Sequence, residues 1–398
     1  MVQPMSSDSV LQPADAFEPQ VSRSSVGLIA PEHSGSAAIH RAAAPPAWIV
    51  LLWDTFRISL RAHALFIAIV ALYVGLGWLA SRLLSQPTAY SGSLGSAATL
   101  LVLTATFLIV VGCAYGLYGM IVVRPARLMQ YFRVALLQRF LTIERLCNVM
   151  PVLVLLPVVI STFTYFKFVI PYIRPFDLDP LFAEWDWVVH GGLHPWELLQ
   201  PVLGHPYVSA VINFFYQLWL FVMWGVLLWQ AFSLSRPRLR IRYLVTFVLL
   251  WAFLGNLAAT LLSSAGPVYY GRVTGLSDPF VPLMEYLHNA SAIAWLPALD
   301  VQEMLWQAYV SKDFGFGTGI SAMPSMHLAT SFSFVLLGFA VNRGLGIVFS
   351  VFAALIFVGS IHLGWHYAID GYVAIIGTWA LWWIVGRLQD VPLVSRLL

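Results

Sequence analysis

The chain has 398 residues, of which 60% are hydrophobic and only 10% are charged, and its mean hydropathy is +0.80. Soluble globular proteins carry about 25% charged residues, so this composition excludes an ordinary soluble protein and predicts a polytopic membrane protein. The formal net charge of +3 arises from basic residues in short loops that are not interleaved with exposed aromatic residues. This pattern argues against nucleic acid as a partner. The bilayer is the first partner that the sequence predicts.

The N-terminal region differs in composition from the rest of the chain. Residues 1–47 are rich in Ser, Ala and Pro and contain no long apolar run, which predicts a disordered cytoplasmic tail. Residues 48–61 mix large apolar and charged side chains. They are compatible with an amphipathic helix on the inner membrane surface and equally with an extension of the first membrane-spanning helix.

Eight apolar segments follow, each close to the length of about 20 residues that a helix needs to cross a bilayer. They cover roughly residues 63–80, 97–123, 146–166, 207–232, 243–262, 325–342, 345–363 and 369–386. The predicted fold class is therefore all-α, a polytopic bundle of about eight transmembrane helices.

Arginine residues predict the orientation of this bundle. One loop carries Arg124, Arg127, Arg133, Arg139 and Arg145, and another carries Arg236, Arg238, Arg240 and Arg242. Short cytoplasmic loops are enriched in Lys and Arg, so both loops are predicted to be cytoplasmic. With eight spans, both termini are then cytoplasmic as well.

A basic pair follows the third apolar segment. Lys167 is separated by six residues from Arg174, which precedes Pro175. Arginine offers a planar fork to phosphate oxygens and lysine a mobile point charge, so the pair is suited to holding phosphate. The alternative is ordinary snorkelling of long cationic side chains to the lipid head groups.

Two long segments are predicted to lie outside the membrane, over residues 175–206 and 263–324. The first contains several Trp and acidic residues, which indicates a helix or re-entrant piece resting on the head groups. The second opens with Gly266 and Pro267 ahead of Tyr269 and Tyr270. With His362, these two tyrosines are candidates for a head-group pocket, although a simple turn is the commoner meaning of Gly-Pro.

Two histidines and an acid lie at the edges of later apolar segments. His327 closes the sequence Pro-Ser-Met-His that begins at Pro324, and His366 precedes Asp370 by four residues. Positions i and i+4 share a helix face, so Asp370 can accept a hydrogen bond from one ring nitrogen of His366 and leave the other as a nucleophile or base. Ionisable residues at such positions favour a functional site.

Taken together, these three motifs resemble the ordered signature of the type 2 phosphatidic acid phosphatase superfamily, over roughly residues 160–386. The resemblance implies a six-helix-type phosphatase core toward the C-terminus. It implies that His366 attacks phosphorus, Asp370 orients His366, and His327 protonates the leaving oxygen. It also implies phosphate binding by the residues Lys167, Arg174 and Ser325. No metal and no other cofactor is implied. Ser325 is also compatible with a plain helix N-cap.

The sequence departs from the superfamily signature in two of the three motifs. Gly359 and Ser360 stand where the third motif usually has Ser-Arg, and Met326 replaces the usual glycine of the second motif. A third motif without that arginine looks more like the inositol phosphorylceramide and sphingomyelin synthase branch, whose members pass a phosphorylated head group to an alcohol. This resemblance slightly favours a phosphotransferase with a lipid or alcohol acceptor over a phosphatase acting on a phosphatidate or polyprenyl phosphate.

The sequence also predicts a functional division of the chain. Residues 48–145 form an N-terminal membrane segment of two spans with a basic loop, and residues 146–390 form the catalytic membrane domain. By the arginine rule the motifs face the extracytoplasmic side, which is the periplasm if the protein lies in a bacterial inner membrane.

Two other classes of protein remain as remote alternatives. His362, His366 and Asp370 recur every four residues, a spacing that occurs in zinc sites, so an intramembrane metallohydrolase is one alternative. A transporter with intramembrane ionisable residues along its path is the other.

Overall fold

The computed structural model describes residues 46–84, 93–312, 315 and 317–396. Every regular element in these residues is a helix, which confirms the predicted all-α fold class. From Pro46 onward the chain packs as one compact unit. The predicted tail lies outside the described residues, except for its last two positions. The functional division at residue 145 stays a prediction.

Seventeen α-helices occur in the described residues, and they fall into two runs along the chain. The first run is α1 (Ala47–Ala62), α2 (Ala64–Leu83), α3 (Ser93–Tyr118), α4 (Leu128–Ala135), α5 (Ile143–Ile173), α6 (Asp179–Val189), α7 (Pro195–Leu203) and α8 (Pro206–Phe232). The second run is α9 (Pro237–Leu249), α10 (Ala259–Leu261), α11 (Tyr270–Thr274), α12 (Val281–Ser291), α13 (Pro297–Ser311), α14 (Met326–Val341), α15 (Arg343–His362), α16 (Ala368–Gln389) and α17 (Pro392–Ser395). A π-helical stretch, Leu250–Ala258, joins α9 to α10.

Seven helices in the described part of the chain are long and apolar enough to cross a membrane. The remaining predicted span, residues 325–342, forms α14, which has only 16 residues. At about 1.5 Å per residue, a helix of that length is shorter than the hydrocarbon core of about 30 Å. Two short helices, α6 and α7, occupy the first predicted outer segment, and α11, α12 and α13 occupy the second.

The segment ahead of the first span forms a helix of its own. It ends at Ala62, and His63 then has the non-helical angles φ −95° and ψ 5° before α2 begins. Nδ1 of His63 lies 2.8 Å from the Ser59 carbonyl oxygen, which caps this break. The chain therefore turns at His63 instead of continuing as one uninterrupted span.

The loops collect at two opposite ends of the helix bundle. At one end, here called the arginine end, Arg236 donates hydrogen bonds to the carbonyls of Ala340 and Val341. Arg145 donates there to the Phe232 carbonyl. The other end, here called the site end, contains the loops between α5 and α8, between α10 and α14, and between α15 and α16.

Two glycines allow α14 and α15 to pack closely as a hairpin. A Cβ atom on Gly338 would lie 3.0 Å from the Gly346 backbone, and a Cβ atom on Gly346 would lie 2.4 Å from the Phe339 ring. Asn342 joins the helices and caps α15, because its Oδ1 accepts a hydrogen bond from the Leu345 N–H at 2.8 Å. This hairpin fixes α14, whose first turn carries His327, beside α15.

Candidate active site

A cavity of about 370 Å³ opens among the helices near the site end. Lys167, His327 and His366 all line it, so one residue from each of the three motifs reaches the same space. The remaining wall is mainly apolar and aromatic, and includes Leu100, Leu103, Val159, Phe163, Trp224, Phe247 and Trp251. Such a cavity combines a few polar groups with a mainly apolar wall, as an amphiphilic ligand requires.

His366 and Asp370 form a hydrogen-bonded pair at the start of α16. Nδ1 of His366 lies 3.1 Å from Oδ2 of Asp370, and the two side chains are 6% and 0% exposed. The same carboxylate oxygen accepts the backbone N–H of Tyr367 at 3.1 Å. With its proton on Nδ1, the ring presents the lone pair of Nε2, which is the state that a nucleophile or base needs.

Burial is the main cause that lowers the pKa of His366 to about 3, and the nearby Lys167 ammonium contributes to the same lowering. A hydrogen bond with the Ala322 backbone acts in the opposite direction. The imidazole of His366 is therefore neutral at physiological pH, which is the protonation state that a nucleophile or base requires.

His327 is the second residue of α14 and faces His366 across the cavity. The centroids of the two rings are 6.0 Å apart, so both rings border the same part of the cavity. Two aromatic residues of α8 hold the His327 ring: Tyr216 stacks on it at 4.6 Å and Trp219 contacts it at 4.2 Å between centroids. Trp219 is fixed in turn by donating a hydrogen bond to Thr330 at 2.8 Å.

Sequence reasoning did not find Tyr216 and Trp219. They belong to an apolar helix rich in aromatic residues, where nothing distinguishes them from lipid-facing neighbours. Their spacing of three residues places them on one helix face, but only the packing of α8 against α14 shows that this face holds His327.

Lys167 supplies positive charge to the cavity from the C-terminal half of α5. Among the described residues that line the cavity, it is the one lysine or arginine, and no carboxylate of the described chain lies within ion-pair distance of it. Gly319 packs against its aliphatic part, since a Cβ at Gly319 would lie 3.2 Å from Cγ of Lys167. An unpaired ammonium in an apolar cavity favours an anionic ligand.

Arg174, the other member of the basic pair, is not brought into the cavity. Its guanidinium forms an ion pair with Asp177 at 3.1 Å, where the arginine side chain is 36% exposed, and it also donates to the Leu261 carbonyl. The six intervening residues complete α5, which ends at Ile173, so Arg174 lies beyond the helix end, at the surface.

Ser325 caps α14 and does not line the cavity. It is fully buried, its Oγ accepts a hydrogen bond from the Leu328 N–H at 3.4 Å, and its own N–H donates to the Asp370 carbonyl at 3.2 Å. This is the helix-cap arrangement that the sequence left open. It ties the second motif directly to the third.

The three candidate head-group residues are separated in the structure. Tyr269 lines the cavity, and its hydroxyl donates to the Gln302 carbonyl at 2.8 Å. Tyr270 packs instead into a cluster with Phe280 and Tyr367. His362 is fully buried and its Nε2 lies 2.8 Å from the Ser209 hydroxyl, so neither Tyr270 nor His362 is among the residues that line the cavity.

The two departures in the third motif are accommodated by close packing. A Cβ at Gly359 would lie 3.1 Å from Ile212 and 3.3 Å from Tyr216. Ser360 is 1% exposed, and its carbonyl accepts the N–H groups of Trp365 and His366 at 2.9 and 3.1 Å. The position of the usual arginine is thus a packed contact that shapes the His366 loop.

The described residues contain no group of three or more His, Cys, Asp or Glu arranged to hold a metal ion. The fold and cavity instead define a helical integral membrane protein with a neutral histidine, a second histidine and a lysine at the polar end of an apolar pocket.

Comparison with known families agrees with this description. A family model described as PAP2 superfamily matches residues 183–384, about half of the chain, and the chain therefore belongs to that superfamily. The match includes His327, His366 and Asp370 but begins after Lys167 and Arg174. Searches of curated proteins and of solved structures found no significant match. Membership supports phosphatase-type chemistry on a lipid phosphate in a bilayer.

Proposed function

We propose that the protein transfers a phosphorylated head group from a phospholipid to an alcohol acceptor through a phospho-histidine intermediate. The observation that carries this proposal is the neutral His366–Asp370 pair facing His327 and Lys167 in one cavity. Each of these groups has a separate task in phosphoryl transfer.

In the first step, Nε2 of His366 forms a bond to phosphorus, and the bond from phosphorus to the oxygen of the lipid alcohol breaks. His327 gives its proton to that leaving oxygen. Asp370 holds the His366 tautomer and stabilises the charge that the ring gains. Lys167 stabilises the negative charge on the phosphoryl oxygens.

In the second step, the acceptor hydroxyl attacks phosphorus, and His327 takes its proton. The bond from Nε2 to phosphorus breaks, which regenerates His366. A water molecule in place of the alcohol would give hydrolysis with the same residues.

The charge of the cavity supports a phosphodiester donor over a phosphomonoester. Lys167 is the one cation among the described lining residues, since Arg174 is paired with Asp177 and Ser360 replaces the usual arginine. A phosphodiester carries one negative charge, which a single ammonium can match. A phosphomonoester carries closer to two, and the second would be poorly compensated in an apolar cavity.

The second candidate is a lipid phosphate phosphatase, which superfamily membership favours. The two activities are separated by the products that the purified protein forms from a labelled phospholipid, with and without ceramide, diacylglycerol or an inositol lipid as acceptor. We expect an acceptor-dependent lipid product. Release of inorganic phosphate from phosphatidate or a polyprenyl phosphate, at a rate that no acceptor changes, would exclude the transferase.

We also propose that the site end is extracytoplasmic, periplasmic in a bacterial inner membrane, with both termini in the cytoplasm. The arginine-rich loops lie together at the opposite end of the bundle, as the positive-inside rule requires.

A further inference from the structure

Two buried aspartates of α6 contact the loop that carries His366. Asp179 and Asp186 are 0% and 2% exposed, and they lie seven residues apart, which places them on the same face of the helix. In the described chain neither lies within ion-pair distance of a lysine or arginine. Neither belongs to the three sequence motifs.

Asp186 caps the N-terminus of α16. Its two carboxylate oxygens accept the backbone N–H groups of Ala368 at 2.7 Å and Ile369 at 3.0 Å. These N–H groups belong to the first helical turn and have no partner within the helix, and a negative charge at this position is favoured by the helix dipole. The next residue is Asp370, so Asp186 fixes the turn from which the partner of His366 projects.

Asp179 joins the His366 loop to a second loop of the site end. Its Oδ1 accepts hydrogen bonds from the Tyr367 hydroxyl at 2.9 Å, the Ser264 hydroxyl at 2.8 Å and the Gly266 N–H at 2.8 Å. Its Oδ2 accepts the Ala265 N–H at 2.8 Å. One carboxylate thus holds Tyr367, which directly follows His366, against residues 264–266.

Gly266 shows how tightly these two loops fit. Its φ is +96°, and a Cβ there would lie 2.7 Å from the Trp365 carbonyl oxygen. The Ser264 carbonyl also accepts the Ala322 N–H at 2.9 Å. This contact links the two loops held by Asp179 to the segment just before the second motif. Asp179 therefore lies at the centre of the contacts between both histidine-bearing segments.

We propose that Asp179 and Asp186 are positioning residues that hold the His366–Asp370 pair in its reactive geometry. This inference deepens the proposed function and rests on it. Burial raises the pKa of both aspartates, while the hydrogen bonds that they accept oppose the rise. The two carboxylates accept six hydrogen bonds, and four of the donors are backbone N–H groups. An asparagine in place of either aspartate would point its own NH2 group, which is also a donor, at one or more of these donors.

The test compares Asp186→Asn and Asp179→Asn with Glu184→Gln. Glu184 lies on the exposed side of the same helix, so the control removes the same charge without touching the loop. We expect kcat to fall by about 10- to 100-fold in each Asn variant because small displacements of reacting groups are costly. We expect KM to change by less than about threefold. Glu184→Gln should stay within about twofold of wild type, and Asp186→Glu should retain more activity than Asp186→Asn.

A second readout does not require turnover. Side-chain NMR of isotopically labelled histidine, with the His366 signal assigned from its loss in His366→Ala, should show a shifted or split ring signal in both Asn variants. A folded Asp186→Asn variant with kcat within about twofold of wild type would overturn the proposal. Loss of activity with an unchanged His366 signal would overturn it as well.

A milder variant covers the case in which an Asn variant does not fold. Tyr367→Phe removes only the hydroxyl that donates a hydrogen bond to Asp179, and it should also shift the His366 signal. An unchanged signal in this variant overturns the role of Asp179. If wild type turns over neither a phospholipid nor a lipid phosphate, the proposed function fails, and the NMR comparison alone then decides the positioning role.

Discussion

His366 is the residue on which the proposed chemistry depends, because it alone combines a carboxylate partner with a lone pair facing the cavity. We expect His366→Ala to reduce turnover by more than about 10³-fold while the protein still folds, since loss of a nucleophile removes the reaction path. Acid-labile phosphate trapped on wild type after a rapid quench should be absent from the variant. Retention of a tenth of the activity would contradict the nucleophile assignment.

Asp370 has a different role, and its replacement should have a different signature. In Asp370→Asn the oxygen that accepts both the Nδ1–H and the Tyr367 N–H becomes part of a neutral amide, which no longer stabilises the charge that the ring gains. If the amide turns its NH2 group toward Nδ1, the tautomer with Nδ1 protonated is disfavoured. We expect kcat to fall by about 10²- to 10⁴-fold with a smaller change in KM. Steady-state kinetics on mixed micelles would measure both. A change in KM alone would show that Asp370 acts in substrate binding.

The acid stability of the protein follows from the buried imidazole of His366. Its pKa is about 3 in the folded protein, against the ordinary histidine value of 6.5 that we take for the unfolded chain, so between these values the unfolded state binds a proton that the folded state does not. Stability is therefore lost as the pH falls from about 6.5 toward 3, by about 2 kcal/mol at pH 5 for this residue. His366→Ala should show a smaller drop in unfolding temperature between pH 7.5 and pH 5 than wild type. An equal drop in both proteins would contradict the assignment.

At the scale of elements, the two ends of the bundle have opposite chemical characters. The loops of the arginine end and those of the site end are joined by helices long enough to span a bilayer. The positive-inside rule then predicts which end faces the cytoplasm. Ser235 and Ser291 are exposed residues at the arginine end and the site end, respectively, and they offer a matched pair for a test.

We expect a cysteine at position 291 to react with a membrane-impermeant maleimide in intact cells, and a cysteine at position 235 to react only after permeabilisation. Both changes, Ser291→Cys and Ser235→Cys, would be made in a variant that lacks Cys113 and Cys147. Labelling of position 235 in intact cells would invert the topology and place the site end in the cytoplasm.

At the scale of the whole molecule, the N-terminal membrane segment contributes to the cavity wall. Leu100 and Leu103 of α3 line the cavity, although α3 lies far from the motifs in sequence. If this apolar wall receives a lipid chain, filling it should select against long chains. The rest of α3 is largely exposed, so a control position is available on the same helix.

We expect Leu103→Trp to raise KM for a long-chain lipid substrate by about 10-fold and to leave turnover of a short-chain analogue within about twofold of wild type. Leu101→Trp, at a side chain that is 70% exposed, should change neither. Equal effects of Leu103→Trp on short and long substrates would show that α3 supports folding but not chain binding.

Much of the fold could be predicted from sequence because membrane-spanning helices leave a local signal. Each needs a run of apolar residues long enough to cover the hydrocarbon core, and its backbone hydrogen bonds are satisfied within the run. The seven long helices were predicted in this way, and α14 was also predicted as a helix although it is only 16 residues long. The arginine loops likewise carry their topological information locally.

The meeting of Lys167, His327 and His366 in one cavity was decided by the tertiary structure. Lys167 lies more than a hundred residues before His327 in the sequence. A local sequence pattern does not show how close two helices come in the folded protein. The sequence suggested Arg174 and Ser325 as phosphate ligands, but the surface pairing with Asp177 and the capping of α14 depend on where α5 ends and how α14 begins.

The sequence by itself determined an all-helical membrane protein, because runs of apolar residues long enough to cross the bilayer carry a local signal. Its four-residue spacing also suggested the His366–Asp370 pair, but His366 lies in the loop ahead of α16 and Asp370 reaches it from the first turn of that helix. Only the tertiary structure decided that Tyr216 and Trp219 hold His327, and that Asp179 and Asp186 hold the loop of His366. The physical reason is that these contacts join helices distant in sequence, and hydrogen bonds and ring contacts act only over a few ångströms. Their partners are therefore fixed by how the helices pack against one another.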